Sequence, residues 1–206
     1  MLAQLQAGLE RLDIKAEQPL CTAYLRYIEL LVKWNKAYNL TAVKDPETML
    51  NRHILDSLSV LSFIKGKQCL DIGTGAGLPG MILALAQADT HWTLLDSNQK
   101  KIRFLRHVIV ELDINNVELV HGRIEMFKPA QEFDTIICRA FAPLSRMLAQ
   151  TQHLLTTENQ LLAMKGKQVE TEIDELGSHQ FLIKLHDLAL SGDEPTAKLV
   201  QIKRSR

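Results

Sequence analysis

The chain has 206 residues, with 24 lysines and arginines against 24 aspartates and glutamates, and is 46% hydrophobic and 23% charged. This is the make-up of a soluble globular protein with room for one α/β domain and an appendage, and at zero net charge a nucleic-acid partner must be held by a local patch. No apolar run approaches the roughly 18 residues of a membrane span, and Cys21, Cys69 and Cys138 are odd in number and widely spaced, which excludes a disulfide framework or zinc site and predicts buried thiols.

Residues 1–64 read as helical. Leu2, Leu5 and Leu9 recur at three and four, and Leu20 to Tyr38 and Met49 to Ile64 form two longer amphipathic runs. Met1 to Arg11 carries charge and has neither an uninterrupted apolar core nor a small-residue cleavage site, so no secretory signal is expected and the protein is placed in the cytoplasm. Asp45-Pro46-Glu47 marks a helix start with Asp45 as its cap. Trp34, Tyr38 and Asn39 follow a helical spacing; the aromatic pair is either core or a platform on which bases stack. His53 and Asp56 lie three apart on one face, as a surface ion pair or a cap on the following domain would, and a metal there lacks further ligands.

After Lys65-Gly66-Lys67 the pattern changes to strand alternating with helix, which divides the chain into a helical extension, 1–64, and a second unit, 65–206. Strands are expected at Gln68 to Ile72, His91 to Leu95, Val117 to Val120, Phe133 to Cys138 and Leu161 to Met164, with helices at Leu78 to Ala88, Asn98 to Leu112, Leu144 to Leu155 and Val169 to Leu176. That alternation predicts right-handed crossovers and a mainly parallel sheet. Phe181 to Leu185 and Lys198 to Lys203 read as two closing strands split by a turn at 191–195.

The stretch Asp71-Ile72-Gly73-Thr74-Gly75-Ala76-Gly77-Leu78-Pro79-Gly80 packs four glycines between an apolar strand and an apolar helix, so it reads as a loop that lets a nucleotide approach the backbone. Gly75 to Gly80 also spells G-x-G-x-x-G, the pattern of a dinucleotide fingerprint. Asp71 separates the two readings. A carboxylate at the strand end repels the pyrophosphate that such a loop normally cradles, but it suits S-adenosylmethionine, which has no phosphate and carries an ammonium and a sulfonium. Asp71 could also simply cap its own loop.

Ligands of open α/β sheets bind outside the carboxyl ends of the strands. Asp71 ends the first strand, and Asp96 ends the second, 23 residues after Gly73 and close to the spacing of about 20 for an acid that binds ribose hydroxyls. Arg123, Ile124 and Glu125 follow the third, Arg139 the fourth and Lys165 the fifth. Each alone could be a solvated loop charge; together they line one edge. Lys100 and Lys101 occupy the first turn of the next helix, where the macrodipole disfavours cations. Arg103 and His107 extend that face at spacings of three and seven from Lys100, which is either a solvated surface or a contact for RNA phosphates.

Trp34-Asn35-Lys36-Ala37-Tyr38-Asn39-Leu40-Thr41, Arg52-His53-Ile54-Leu55-Asp56-Ser57-Leu58, Asp71 to Gly80, Leu94-Leu95-Asp96-Ser97 and Arg139-Ala140-Phe141-Ala142 together closely resemble the RsmG (GidB) family. The resemblance runs in order from the N-terminal helices to Lys165-Gly166. It implies a class I S-adenosylmethionine-dependent methyltransferase fold, Rossmann-like with a mainly parallel sheet, that methylates N7 of a guanine in 16S ribosomal RNA. It also implies cofactor positions at Gly73, Leu78, Ile124, Glu125 and Arg139, to which the residue reading adds Gly75, Asp96 and Asp71. Lys100, Arg103, Arg123 and Lys165, with Asn39 and His53, are the expected RNA contacts, on the 16S RNA or the small subunit, made by a protein expected to be a monomer. Ala76 stands where a proline is common in the family, and Cys138 where a serine is. Two other functions were weighed. An NAD(P)-dependent reductase is favoured only by G-x-G-x-x-G and lacks a Tyr/Lys or His acid pair near the sheet edge, and a noncatalytic RNA-binding module would leave the loop unexplained.

Overall fold

Strand and helix periods alternate through the second unit, and in the computed structural model they assemble into a seven-stranded sheet of order β3-β2-β1-β4-β5-β7-β6. The structure describes residues 1–140, 142–166, 169–176, 180–188 and 197–205. β1 (Gln68–Ile72), β2 (His91–Asp96), β3 (Val117–His121), β4 (Thr135–Arg139) and β5 (Gln160–Gly166) pair in parallel, while β7 (Ala197–Arg204) inserts antiparallel between β5 and β6 (Phe181–Asp187). The central strands are apolar on both faces because helices cover both, as parallel sheets require. In β1 the alternation sends Cys69 into one core and Leu70 and Ile72 into the other.

The first core joins the sheet to the N-terminal helices α1 (Leu2–Arg11) and α2 (Gln18–Tyr38), and to α5 (Gly80–Ala86) and α6 (Gln99–Glu111). Leu5, Leu9, Tyr24, Tyr27, Trp92 and Phe104 are its largest wholly buried side chains. The second, under α7 (Leu144–Thr151) and α8 (Val169–Asp174), holds Ile136, Met147 and Leu161. Cys21, Cys69 and Cys138 are buried free thiols. Trp34 stacks on Tyr38 and leans on Phe104 and His107, so this aromatic pair cements α2 to α6.

Helix boundaries differ from the periodicity in two informative places. The helix expected from Leu78 begins at Gly80, because the Thr74 carbonyl accepts the Gly77 and Leu78 amides at 2.8 Å each and keeps this stretch in turns. The run expected from Met49 to Ile64 is α3 (Pro46–Met49), a π-helical stretch Leu50–Leu55, α4 (Asp56–Leu58) and a 3-10 turn Leu61–Phe63. Asp45 caps α3 as expected, accepting from the Thr48 amide and hydroxyl at 2.7 Å each. Wider π turns re-aim side chains and are frequent at functional sites; this one brings Asn51 and Arg52 to a cavity. The closing turn expected at 191–195 lies outside the described residues. Among the described residues no helix is long and apolar enough to cross a membrane.

Candidate active site

The loop after β1 spends its own amides. Gly73 and Thr74 donate to the Leu95 carbonyl, Gly75 to Asp96 Oδ2 at 2.8 Å, Gly77 and Leu78 to the Thr74 carbonyl, and Gly80 to Asp71 Oδ2 at 2.8 Å. A pyrophosphate cradle needs such donors unpaired and aimed at the ligand. Here carboxylates and carbonyls already take them, so the G-x-G-x-x-G spelling does not make a phosphate site. Asp71 is fully buried beneath the loop, where Oδ2 also accepts the Thr74 hydroxyl at 2.6 Å. Burial pushes its carboxyl up to about 6, opposed by those two donors and by Arg139. The loop-capping alternative is therefore the role its geometry displays, and any effect on a ligand passes through the loop. α2 fixes the loop from the other side: Tyr27 donates its hydroxyl to the Ala76 carbonyl at 2.6 Å, and Tyr24 donates to the Ile82 carbonyl at 3.2 Å.

Close approach explains one glycine and backbone conformation another. A Cβ on Gly80 would sit 2.4 Å from Leu94 Cδ2 and 2.7 Å from Asp71 Cβ, so only glycine lets α5 meet the sheet there. Gly75 has φ +62, which disfavours side chains, and its ideal Cβ would lie 3.8 Å from both the Gly73 carbonyl oxygen and Lys101 Nζ.

A cavity of about 360 Å³ opens at the carboxyl ends of β1 to β3. Gly73, Asp96, Ile124 and Glu125 line it, with Lys101 and Ala140. Asp96 is held by Gly75 N on Oδ2 and Asn98 N on Oδ1, each at 2.8 Å. Oδ2 also receives Lys101 Nζ at 3.5 Å, so it is Oδ1 that keeps a further lone pair for a ribose hydroxyl. Ile124 is buried and offers an apolar wall, whereas Glu125 and Arg123 are exposed, Glu125 receiving Gln150 Nε2. The amide-spent loop offers no phosphate cradle, and Asp96 with the apolar Ile124 wall fits a nucleoside, while Lys101 and Arg123 balance Asp96 and Glu125 around the cavity.

A larger cavity of about 880 Å³ lies on the other side of β4. Asp56, Arg52, Arg139 and Lys165 line it, and Ala140, with φ +49, belongs to both cavities. Left-handed backbone on a residue with a Cβ is uncommon and is held by its surroundings at functional sites. Arg139 Nη1 donates to the Arg52 carbonyl at 2.9 Å. Burial lowers the Arg139 pKa, while Tyr27, Asp56 and Asp71 draw it back up.

The structure redistributes several expected residues. Leu78 packs into the core and, like Asp71 and Gly75, does not line the first cavity; Arg139 lines the second. His53 is corrected as an RNA contact: it is 6% exposed, its Nε2 meets Thr41 Oγ1 at 2.9 Å, and burial pushes its pKa down to about 4, so it is a neutral core group with no hydrogen bond to Asp56. Lys165 is corrected likewise, because its ammonium is held by Glu172 Oε2 at 2.8 Å and the Ala142 carbonyl. Lys101 does not await an external anion; it turns back to Asp96 Oδ2 at 3.5 Å. Lys100, Arg103 and Arg123 stay exposed, as does Asn39, whose φ of +50 closes α2. Sequence reasoning missed Tyr27, Lys101 and Ala140 as parts of the site; only Lys101 left a signal, five residues after Asp96.

Comparisons with known proteins place the chain in a family. The model of the GidB family, described as rRNA small subunit methyltransferase G, matches residues 20–196. The ribosomal RNA small subunit methyltransferase G of Hahella chejuensis is 44% identical over 202 residues, spanning 98% of this chain and 93% of that one. Its counterpart in Legionella pneumophila is 51% identical over 149 residues, 72% of each chain. Among solved structures, the glycopeptide N-methyltransferase MtfA complexed with S-adenosylmethionine superposes with a TM-score of 0.63 at 12% identity, over 75% of this chain and 88% of that one. An rRNA methylase from Streptococcus thermophilus gives a TM-score of 0.53 at 15% identity, over 74% and 95%. At such identities the structures establish the fold alone.

Proposed function

The chain belongs to the GidB family, rRNA small subunit methyltransferase G, and is an S-adenosylmethionine-dependent rRNA methyltransferase; from that premise we propose that its target is N7 of one guanine in 16S ribosomal RNA. The observation that supports this reading best is the meeting of the two cavities at Ala140, one fitted to a nucleoside and the other large enough for a nucleobase. Ligand sites typically span about 300 to 1,000 Å³.

Bound in the first cavity, S-adenosylmethionine supplies an electrophilic methyl group on its sulfonium. Asp96 would accept a ribose hydroxyl on Oδ1, Ile124 and Glu125 would meet the adenine, and the Gly73 backbone would face the methionine end, with Gly75 holding the loop through its bond to Asp96. Guanine N7 already exposes a lone pair at neutral pH, so no general base is required. The protein's task is to hold that nitrogen in line with the methyl carbon at about 3 to 3.5 Å. Arg139, between the two cavities, orients the guanine or the cofactor carboxylate. The exposed Lys100, Arg103 and Arg123 attract RNA phosphates, with Asn39 at the edge of the same approach. The helices of residues 1–64 form an extension that braces the methyltransferase domain, 65–206, and the protein works as a cytoplasmic monomer on the small subunit.

The test is transfer of radiolabelled methyl groups from S-adenosylmethionine to small subunits or 16S RNA lacking the modification. Borohydride reduction and aniline cleavage then map 7-methylguanosine. A single cleavage site is expected. Label on another base, or on guanine without aniline-sensitive cleavage, would overturn the N7 assignment.

A further inference from the structure

The second cavity holds a carboxylate that these roles leave unused. Asp56 stands where the π turns give way to α4, and it lines the cavity with Arg52, Arg139 and Lys165. Two of the three cations around it are already engaged, Lys165 with Glu172 and the Ala142 carbonyl and Arg139 with the Arg52 carbonyl, while the Arg52 side chain is exposed. No hydrogen bond reaches the Asp56 carboxylate from any described residue, although burial pushes its pKa up to about 6 against the pull of Arg139 and Arg52. A half-buried carboxylate with no donor is costly, and the cost disappears when a ligand brings donors to it.

Nucleobase chemistry states which ligand does so. Adenine and guanine both carry N7, so a methyl acceptor chosen at N7 alone would not separate them. Their Watson–Crick edges differ: guanine presents two adjacent donors, N1–H and N2–H2, whereas adenine presents an acceptor at N1 beside a donor at N6. One carboxylate accepts both guanine donors side by side and opposes the adenine N1 lone pair. N7 lies on a different side of the purine from that edge, so a base whose N7 faces the cofactor leaves N1–H and N2–H2 for the cavity wall. Enzymes that act on a base commonly extrude it and read this edge in a pocket.

We propose that Asp56 accepts the N1–H and N2–H2 groups of the target guanine and is the residue that selects guanine over adenine. The proposal rests on the N7 reading above. It makes Arg52, exposed at the cavity, a contact for the phosphate of the extruded nucleotide.

The experiment compares kcat/KM on two semisynthetic 16S RNAs assembled into subunits, one with the target guanosine and one with inosine there. Inosine keeps N7, O6 and N1–H and lacks only the 2-amino group. The unaltered protein should prefer guanosine by about ten- to hundred-fold, the effect of one hydrogen bond to a charged acceptor. In Asp56→Asn the preference should collapse towards one while S-adenosylhomocysteine affinity stays as it was. Asp56→Glu, which keeps the carboxylate, should retain part of it. Equal rates of the unaltered protein on the two RNAs would overturn the proposal without any variant, and so would an unchanged preference in Asp56→Asn. Failure of the N7 reading is distinct: guanosine RNA would then yield no aniline-sensitive site at all.

Discussion

Asp71→Asn should change how stability depends on pH, beyond any change in its size. Asp71 is wholly buried, accepts from Thr74 Oγ1 at 2.6 Å and Gly80 N at 2.8 Å, and has its carboxyl lifted by burial from 3.8 to about 6. A carboxyl whose folded pKa lies above its unfolded value favours the fold in its protonated form. Its contribution is fully present below pH 3.8 and is lost as pH rises through about 6. The interval between those values corresponds to roughly 3 kcal/mol. Asparagine resembles the protonated acid and does not titrate, so the stability of the unaltered protein minus that of the variant should fall by roughly 3 kcal/mol between about pH 4 and about pH 8. Urea denaturation in steps across that range measures the difference. Asp56, whose carboxyl is also pushed up to about 6, is present in both proteins and cancels. A difference that stays level, or that grows with pH, would refute the argument that burial outweighs the two donors.

Four further outcomes follow from the site. Asp96→Ala should weaken S-adenosylhomocysteine binding by about 100-fold, because the ribose acceptor goes and the Gly75 and Asn98 amides lose charge-assisted bonds of about 1.5 to 3 kcal/mol each; calorimetry showing unchanged affinity would place the ribose elsewhere. In the unaltered protein the same ligand should raise Tm while NADH does not, as only a ligand of the native state stabilises it. Lys100→Ala combined with Arg103→Ala should make the plot of log affinity for RNA against log salt shallower by roughly 1.4 to 1.8, with cofactor affinity intact. An unchanged slope would reduce that face to a solvated one. Lys165→Ala should leave the slope alone and lower stability by about 1 to 3 kcal/mol, since Glu172 loses its buried partner; a shallower slope would return Lys165 to the RNA contacts.

The local chemistry of this protein is legible in its sequence. Short apolar runs at Gln68 to Ile72, His91 to Leu95 and Phe133 to Cys138 placed the strands, and the sheet rule placed Asp71, Asp96 and Arg139 at one edge. The family could be read from ordered motifs, because each motif is a short run of neighbours whose spacing carries over unchanged. Glycines at 73, 75, 77 and 80 announced a loop, and Asp71 argued against phosphate there.

Whether that loop offers donors to a ligand was decided by tertiary structure alone. Gly77, Leu78 and Gly80 bond within the segment, but the acceptors of the Gly73, Thr74 and Gly75 amides are the Leu95 carbonyl and the Asp96 carboxylate, on the neighbouring strand more than 20 residues away. The same holds for the charged residues: Lys165 is neutralised by Glu172 from α8, Lys101 by Asp96, and His53 is sealed in the core against Thr41. Lys100 and Lys101 are adjacent in sequence and meet opposite fates, one exposed and one turned into the cavity. A charge is free or spent according to burial and to partners brought by distant segments, and spacing along the chain contains neither quantity. Asp56 shows the converse: a residue that looks like half of a surface ion pair lies, at the end of the π turns, in the cavity wall as a carboxylate without a donor among the described residues.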